Sequence, residues 1–250
     1  MIWSFSRGPR RSEVELVDAV PTRCASLLAD AEVDAALVPV IEYQRMSEVE
    51  VVPDVCVGSR RKVRSVALAI KVESLKDVGR IALDESSRTS ASLVRIIFRE
   101  FLGFEPAWTS AAPDVDRMLE ENDGALIIGD PAMTFARKGL RVFDLAALWR
   151  EHTGLGFVFA MWMMRADASP AARRIDLAGA RDEGLARTDE IVDFYSPLLG
   201  LEGGELRTYL RENISFSMND EMRAGLNLYF ELARKHGIIN VVKPLKTTDA

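Results

Sequence analysis

Histidine and cysteine are scarce, two of each in 250 residues. Cys24 and Cys56 form no CxxC pair, and with only His152 and His236 to join them no Cys/His zinc constellation can be written. No metal site is expected, and the cysteines are expected to be free, wholly or partly buried thiols in a reducing compartment. Long apolar runs are missing too. None approaches the about 18 residues that a membrane helix needs, so no membrane association is expected. The N-terminus, MIWSFSRGPRR, places its charges after a very short apolar patch, the reverse of a secretory signal, so a cytoplasmic location is expected. Dense basic runs are absent and the formal net charge is −6, which argues against nucleic acid as a partner. GxSxG, Walker A, GxGxxG and HExxH do not occur, which argues against the common hydrolase, kinase and dehydrogenase classes.

What remains is an ordinary globular composition, 48% hydrophobic and 28% charged. The length allows one large domain or two small ones. No oligomeric state is written in the chain; an acidic homodimer is compatible with it.

The hydrophobic pattern is that of an α/β protein. VELVDAV (14–20) alternates as a strand does, PTRCASLLADAEVD follows as a helix with Pro21 in its first turn, and AALVPVIEY (35–43) has the continuous apolar character of a buried strand. That order predicts a parallel sheet. RSVALAIKV (64–72) and RIALD (80–84) are predicted strands, separated by a short helix capped by Ser74. SLVRIIFREFLG is a predicted helix stopped by Gly103. PAWTS, GALIIGD and FVFAMWMMR (157–165) read as strands, with helices over DVDRMLEEN and DLAALWREHTG. Beyond about 168 the pattern is helical, and the last helix has Asn219 as its predicted N-cap and Gly237 as its stop. The strand–helix series restarts near residue 75. Two strands, at 64–72 and 157–165, cross between the halves, which predicts two lobes around a cleft: residues 1–72 with 160–250, and residues 73–159. Such clefts bind small molecules at the carboxyl ends of strands.

One stretch concentrates the candidate chemistry. In LDESSRTSASLVRIIFRE, four hydroxyls (Ser86, Ser87, Thr89, Ser90) and Arg88 lie between a strand end and a helix start. They either cap the helix or help its unpaired N–H groups hold a carboxylate or phosphate. In IIGDPA, Gly129 and Asp130 end a buried strand; the acid is either a turn residue or a base. Glu42 and Tyr43 follow another strand, where a turn with a solvated Glu is favoured. His152, a lone histidine near the return strand, is expected to be structural. Ser65 opens a strand and by itself says little.

AEVDAALVPVIEYQRM, VPDVCVGS, VRSVALAIKV, LDESSRTSASLVRII, ALIIGDPAM and HTGLGFVFAMW, in that order, resemble the chorismate dehydratase family of the futalosine route to menaquinone. The resemblance implies a two-lobed type II periplasmic-binding-protein-like fold, used inside the cell as a lyase. It implies loss of water from chorismate, without a cofactor, to give 3-[(1-carboxyvinyl)oxy]benzoate. A non-catalytic carboxylate binder of the same fold is the alternative. Thr89 and Ser90 would bind a carboxylate, supported by Ser86 and Ser87, with Arg88 and Gly129 also in the substrate-binding set; Ser65 would present its hydroxyl or backbone at the hinge; Asp130, the catalytic candidate, would line the opposite wall with Phe157 and Phe159. The family opens with a short strand and a turn carrying an Asn that reaches the substrate. MIWSFSRG resembles the helix after that turn, so a strand upstream of Met1 is expected between 14–20 and 35–41.

Overall fold

The computed structural model describes residues 2–248. Its strands form two sheets. The first holds β1 (Ala35–Pro39), β2 (Val49–Ser59) and, from far along the chain, Phe157–Arg165, which is the eighth strand. The second holds β3 (Val66–Ile70), β4 (Arg80–Asp84), β5 (Ala107–Ala111), β6 (Gly124–Ile128) and β7 (Arg141–Asp144), in the order β5-β4-β6-β3-β7. In the first sheet β8 (Phe157–Arg165) runs antiparallel between β1 and β2. In the second, β3 runs antiparallel between β6 and β7, while β4 is parallel to both β5 and β6. Both sheets thus have one strand that arrives by a crossover and lies antiparallel between two others.

The parallel sheet predicted from the N-terminal third is not found there. Residues 14–20 carry no regular structure and leave Leu16, Val17 and Val20 exposed. β1 pairs with β8 alone, and a strand without a ladder partner leaves its backbone groups to water. β1 also stops at Pro39, which cannot donate to a ladder, and Val40–Tyr43 turns into a short helix. The crossovers fall earlier than the expected boundaries. β3 pairs into the second sheet rather than the first, and Phe157 and Phe159 lie in the first.

The helices in chain order are α1 (Trp3–Ser6), α2 (Pro21–Ala29), α3 (Val40–Tyr43), α4 (Arg88–Ile96), α5 (Val115–Glu121), α6 (Gly129–Thr134), α7 (Leu145–Thr153), α8 (Leu177–Ala186), α9 (Thr188–Leu199), α10 (Gly203–Thr208) and α11 (Asp220–Lys235). Wider π-type turns extend α4 over Ile97–Leu102 and α10 over Tyr209–Asn213. The predicted caps are present. Ser74 accepts from Lys76, Asn219 accepts from Met222, and Gly103 and Gly237 adopt positive φ after their helices.

One apolar core joins the two sheets. It takes Val38, Phe157 and Met161 from the first, Leu68, Ile81 and Leu126 from the second, and Leu93, Ile96, Trp149 and Tyr229 from α4, α7 and α11. Ala67, Ala69, Ala82 and Ile127 face the other way, into a smaller cluster with α5 and α6. No described helix is long and apolar enough to cross a membrane.

Candidate functional site

Asp84 ends β4 and is 2% exposed. One carboxylate oxygen accepts from the Ser86 backbone N–H at 2.9 Å and the Ser86 hydroxyl at 2.6 Å; the other accepts from the Ile128 N–H at 3.2 Å. A buried acid is thereby satisfied, and the start of α4 is pinned beside the end of β6. The Ser86 hydroxyl is used in this bracket.

Ser87 occupies the N-cap of α4 in an extended conformation, yet its side chain caps no helix N–H. Ser87, Thr89 and Ser90 are all buried. The first turn of α4 therefore points unpaired N–H groups and buried hydroxyls at the seam between the lobes, the arrangement that favours an anion. The first lobe closes on this turn at three places. Thr89 Oγ1 accepts from the Ile41 N–H at 3.4 Å, the Tyr229 hydroxyl donates to the Thr89 carbonyl at 3.2 Å, and the Arg88 guanidinium donates to Glu42 at 2.6 Å.

The last contact corrects two expectations. Glu42 is not solvated; it is 4% exposed and pairs with Arg88 through one oxygen and with Arg45, at 2.7 Å, through the other. Two guanidinium groups offset the cost of burying one carboxylate. Arg88 consequently faces a protein acid, the Ser86 and Thr89 hydroxyls already have partners, and the turn is left with its N–H groups and the hydroxyls of Ser87 and Ser90.

The second cluster lies at the end of β6. Gly129 adopts φ +66 and donates to the Ser65 carbonyl at 2.8 Å. Asp130 follows, exposed, in the first turn of α6. Ser65 is buried at the start of the crossing strand, close to the phenol of Tyr209, which also lies near Asp130 and Arg64. Burial pushes this phenol up to about 12, so it stays protonated at neutral pH. Arg64, just before Ser65, has φ +65, a backbone position that a non-glycine residue rarely takes. Tyr209 escaped sequence reasoning because it sits in a π-type turn, which breaks the 3.6-residue period.

Phe157 and Phe159 meet edge to face, with ring centroids 4.7 Å apart. Phe157 is fully buried and packs on Trp149 and on Tyr229, the residue that holds the Thr89 carbonyl. These rings support α4 from behind the seam. His152 is stacked on Phe101 at the protein surface, 4.6 Å between centroids, as a structural residue would be. Cys56 is buried and Cys24 half-buried, both free. No cluster of three or more His, Cys, Asp or Glu suited to a metal occurs among the described residues.

Comparison with known proteins places this arrangement. The chain is 30% identical over 235 residues to the chorismate dehydratase of Thermus thermophilus, covering 86% of this chain and 85% of that protein. In structure it resembles protein AF1704 of Archaeoglobus fulgidus, with a TM-score of 0.72, 20% identity and 95% and 93% of the two chains covered. It also resembles a Candida albicans protein described as exhibiting the generic periplasmic binding protein fold, with a TM-score of 0.59, 13% identity and 100% and 94% covered. The two lobes, their crossing strands and the seam between them are that fold. A family model described as menaquinone biosynthesis matches residues 1–235, and the chain belongs to that family.

Proposed function

We propose that this protein dehydrates chorismate to 3-[(1-carboxyvinyl)oxy]benzoate, a step towards menaquinone. The observation that carries the proposal is the uncapped first turn of α4, with buried Ser87, Thr89 and Ser90 at the seam between the lobes, in a chain 30% identical to a chorismate dehydratase.

Chorismate has two carboxylates, and the α4 turn suits one of them through charge-assisted hydrogen bonds. The reaction removes the ring hydroxyl and the neighbouring ring proton as one molecule of water and leaves an aromatic ring. Aromatisation provides the driving force, so the protein's task is orientation and proton transfer. Asp130 is the group assigned to that transfer, beside Gly129, whose N–H is engaged by Ser65. No metal or cofactor is assigned a role. The reaction would take place in the cytoplasm without nucleic acid or membrane, and a homodimer is the assembly assigned, which sedimentation would read.

Incubation of the purified protein with chorismate, followed by chromatography of the aromatic product, tests the proposal. Product formation supports it. Calorimetric binding of chorismate without product would instead identify a carboxylate-binding protein of the same fold.

A further inference from the structure

A cavity of about 560 Å³ opens on the other face of the second sheet from α4. Ala67 and Val142 form its floor, and both belong to the small cluster with α5 and α6, whereas α4 packs with Leu68 on the opposite face. Its walls come from the crossover (Lys62, Arg64), from Met133 and Arg137, and from the segment that carries α10.

The charges here do not balance. Arg64 pairs with Glu205. Arg137 forms no ion pair with a described residue; it donates to the Ala132 carbonyl at 3.2 Å and lies over the Phe135 ring. Lys62 is exposed and likewise unpaired among the described residues. Asp144 already accepts from the backbone N–H groups of Val63, Arg64 and Ala147. Three cations thus face two carboxylates, one of which is committed to backbone. Arg64 is held below the usual guanidinium range by burial first and by the nearby Arg137 second, the condition that an added anion would relieve.

An independent observation points into the same cavity. Asn213 lines it, is 5% exposed, and its side-chain amide has no hydrogen-bond partner among the described residues. The residue is enclosed while its amide stays accessible from the cavity, where a ligand or water can bond to it. The π-type turn over Tyr209–Asn213 explains its position. Bonding from residue i to i+5 brings Asn213 round to the side of Thr208, which lines the same cavity, whereas an α-helix would rotate the two apart.

We infer that this cavity is a binding site for a small organic acid carrying two carboxylates, held by Arg137 and Arg64 at the mouth and by the Asn213 amide and Thr208 inside. Guanidinium forks match carboxylates in pairs, and the volume holds a molecule of roughly ten heavy atoms with water. The site is separate from the α4 turn and does not depend on turnover of chorismate.

Isophthalate titrated calorimetrically into the whole protein, with benzoate as the one-carboxylate control, tests the inference. Isophthalate is expected to bind, benzoate at least tenfold more weakly. Arg137→Gln, at an exposed position that leaves the fold intact, is expected to weaken isophthalate at least tenfold, and Asn213→Ala by several-fold at an unchanged circular dichroism spectrum. Thr89→Val with Ser90→Ala is expected to leave this binding in place. No isophthalate binding to the unaltered protein, equal binding by Arg137→Gln, or loss in the Thr89/Ser90 variant alone would overturn it.

Discussion

Glu42 shows how far a single residue departs from what its neighbours in sequence suggest. After an apolar strand, a lone acid is expected to face water. Here it is held between Arg45, on its own turn, and Arg88, some forty-six positions away. No local pattern could have announced the second partner. Glu42→Ala would leave Arg88 and Arg45 facing each other at the seam; both are about two-fifths exposed, so water moderates the penalty. A loss of about 1–3 kcal/mol by chemical denaturation is expected. Glu50 has a related environment and a pH signature. Hydrogen bonds from Lys246 and Arg173 lower its pKa against the opposing effect of burial. A depressed folded-state pKa contributes stability that is complete above the ordinary glutamate range and is lost as pH falls through the folded value. Melting temperature should therefore drop below about pH 4.3, and Glu50→Gln should flatten that part of the profile. An unchanged slope in the variant would contradict this role for the pair.

Elements were legible where their pattern did not depend on a distant partner. RIALD, FVFAMWMMR and the amphipathic run of α11 carry clear periods and caps, and they stand where the sequence placed them. β2 and β7 were not visible. β2 is interrupted by a register shift between Val51 and Cys56, and β7 has only four residues, three of them partly buried. VELVDAV has a strand's composition but no neighbour to pair with, so pattern alone misled. In the site, the hydroxyl cluster was visible as a cluster; that Ser86 closes onto Asp84 while Ser87 caps nothing was not. Thr89→Val with Ser90→Ala should weaken chorismate binding by about 1.5–3 kcal/mol for each charge-assisted bond lost, with melting little changed. Equal affinity in calorimetry would remove α4 from the site. Gly225 tests helix placement. In an ordinary helix interior, Gly→Ala gains about 1 kcal/mol. A Cβ here would stand 2.0 Å from the Gly156 carbonyl oxygen in the hinge, which is backbone and cannot simply rotate away. Gly225→Ala should therefore destabilise the protein, by about 1–3 kcal/mol, opposite in sign to propensity.

At the scale of the whole molecule, two lobes share one core. Side chains from both sheets meet in it, and Arg88–Glu42, Thr89–Ile41 and Tyr229–Thr89 bridge the seam. Calorimetric unfolding should accordingly be a single transition; two resolved transitions would show that the bridges are too weak to couple the lobes. The two-lobed plan was readable because the strand–helix series visibly restarts. The position of the crossovers was not, since a crossing strand looks alike whichever sheet receives it. The central claim is that the uncapped turn of α4 holds chorismate while water is lost from its ring. Chromatography of chorismate incubated with the protein and with the Thr89→Val/Ser90→Ala variant tests it most directly. The account predicts 3-[(1-carboxyvinyl)oxy]benzoate from the first and at least tenfold less from the second at sub-saturating substrate. No product from the unaltered protein, or equal product from both, would contradict it.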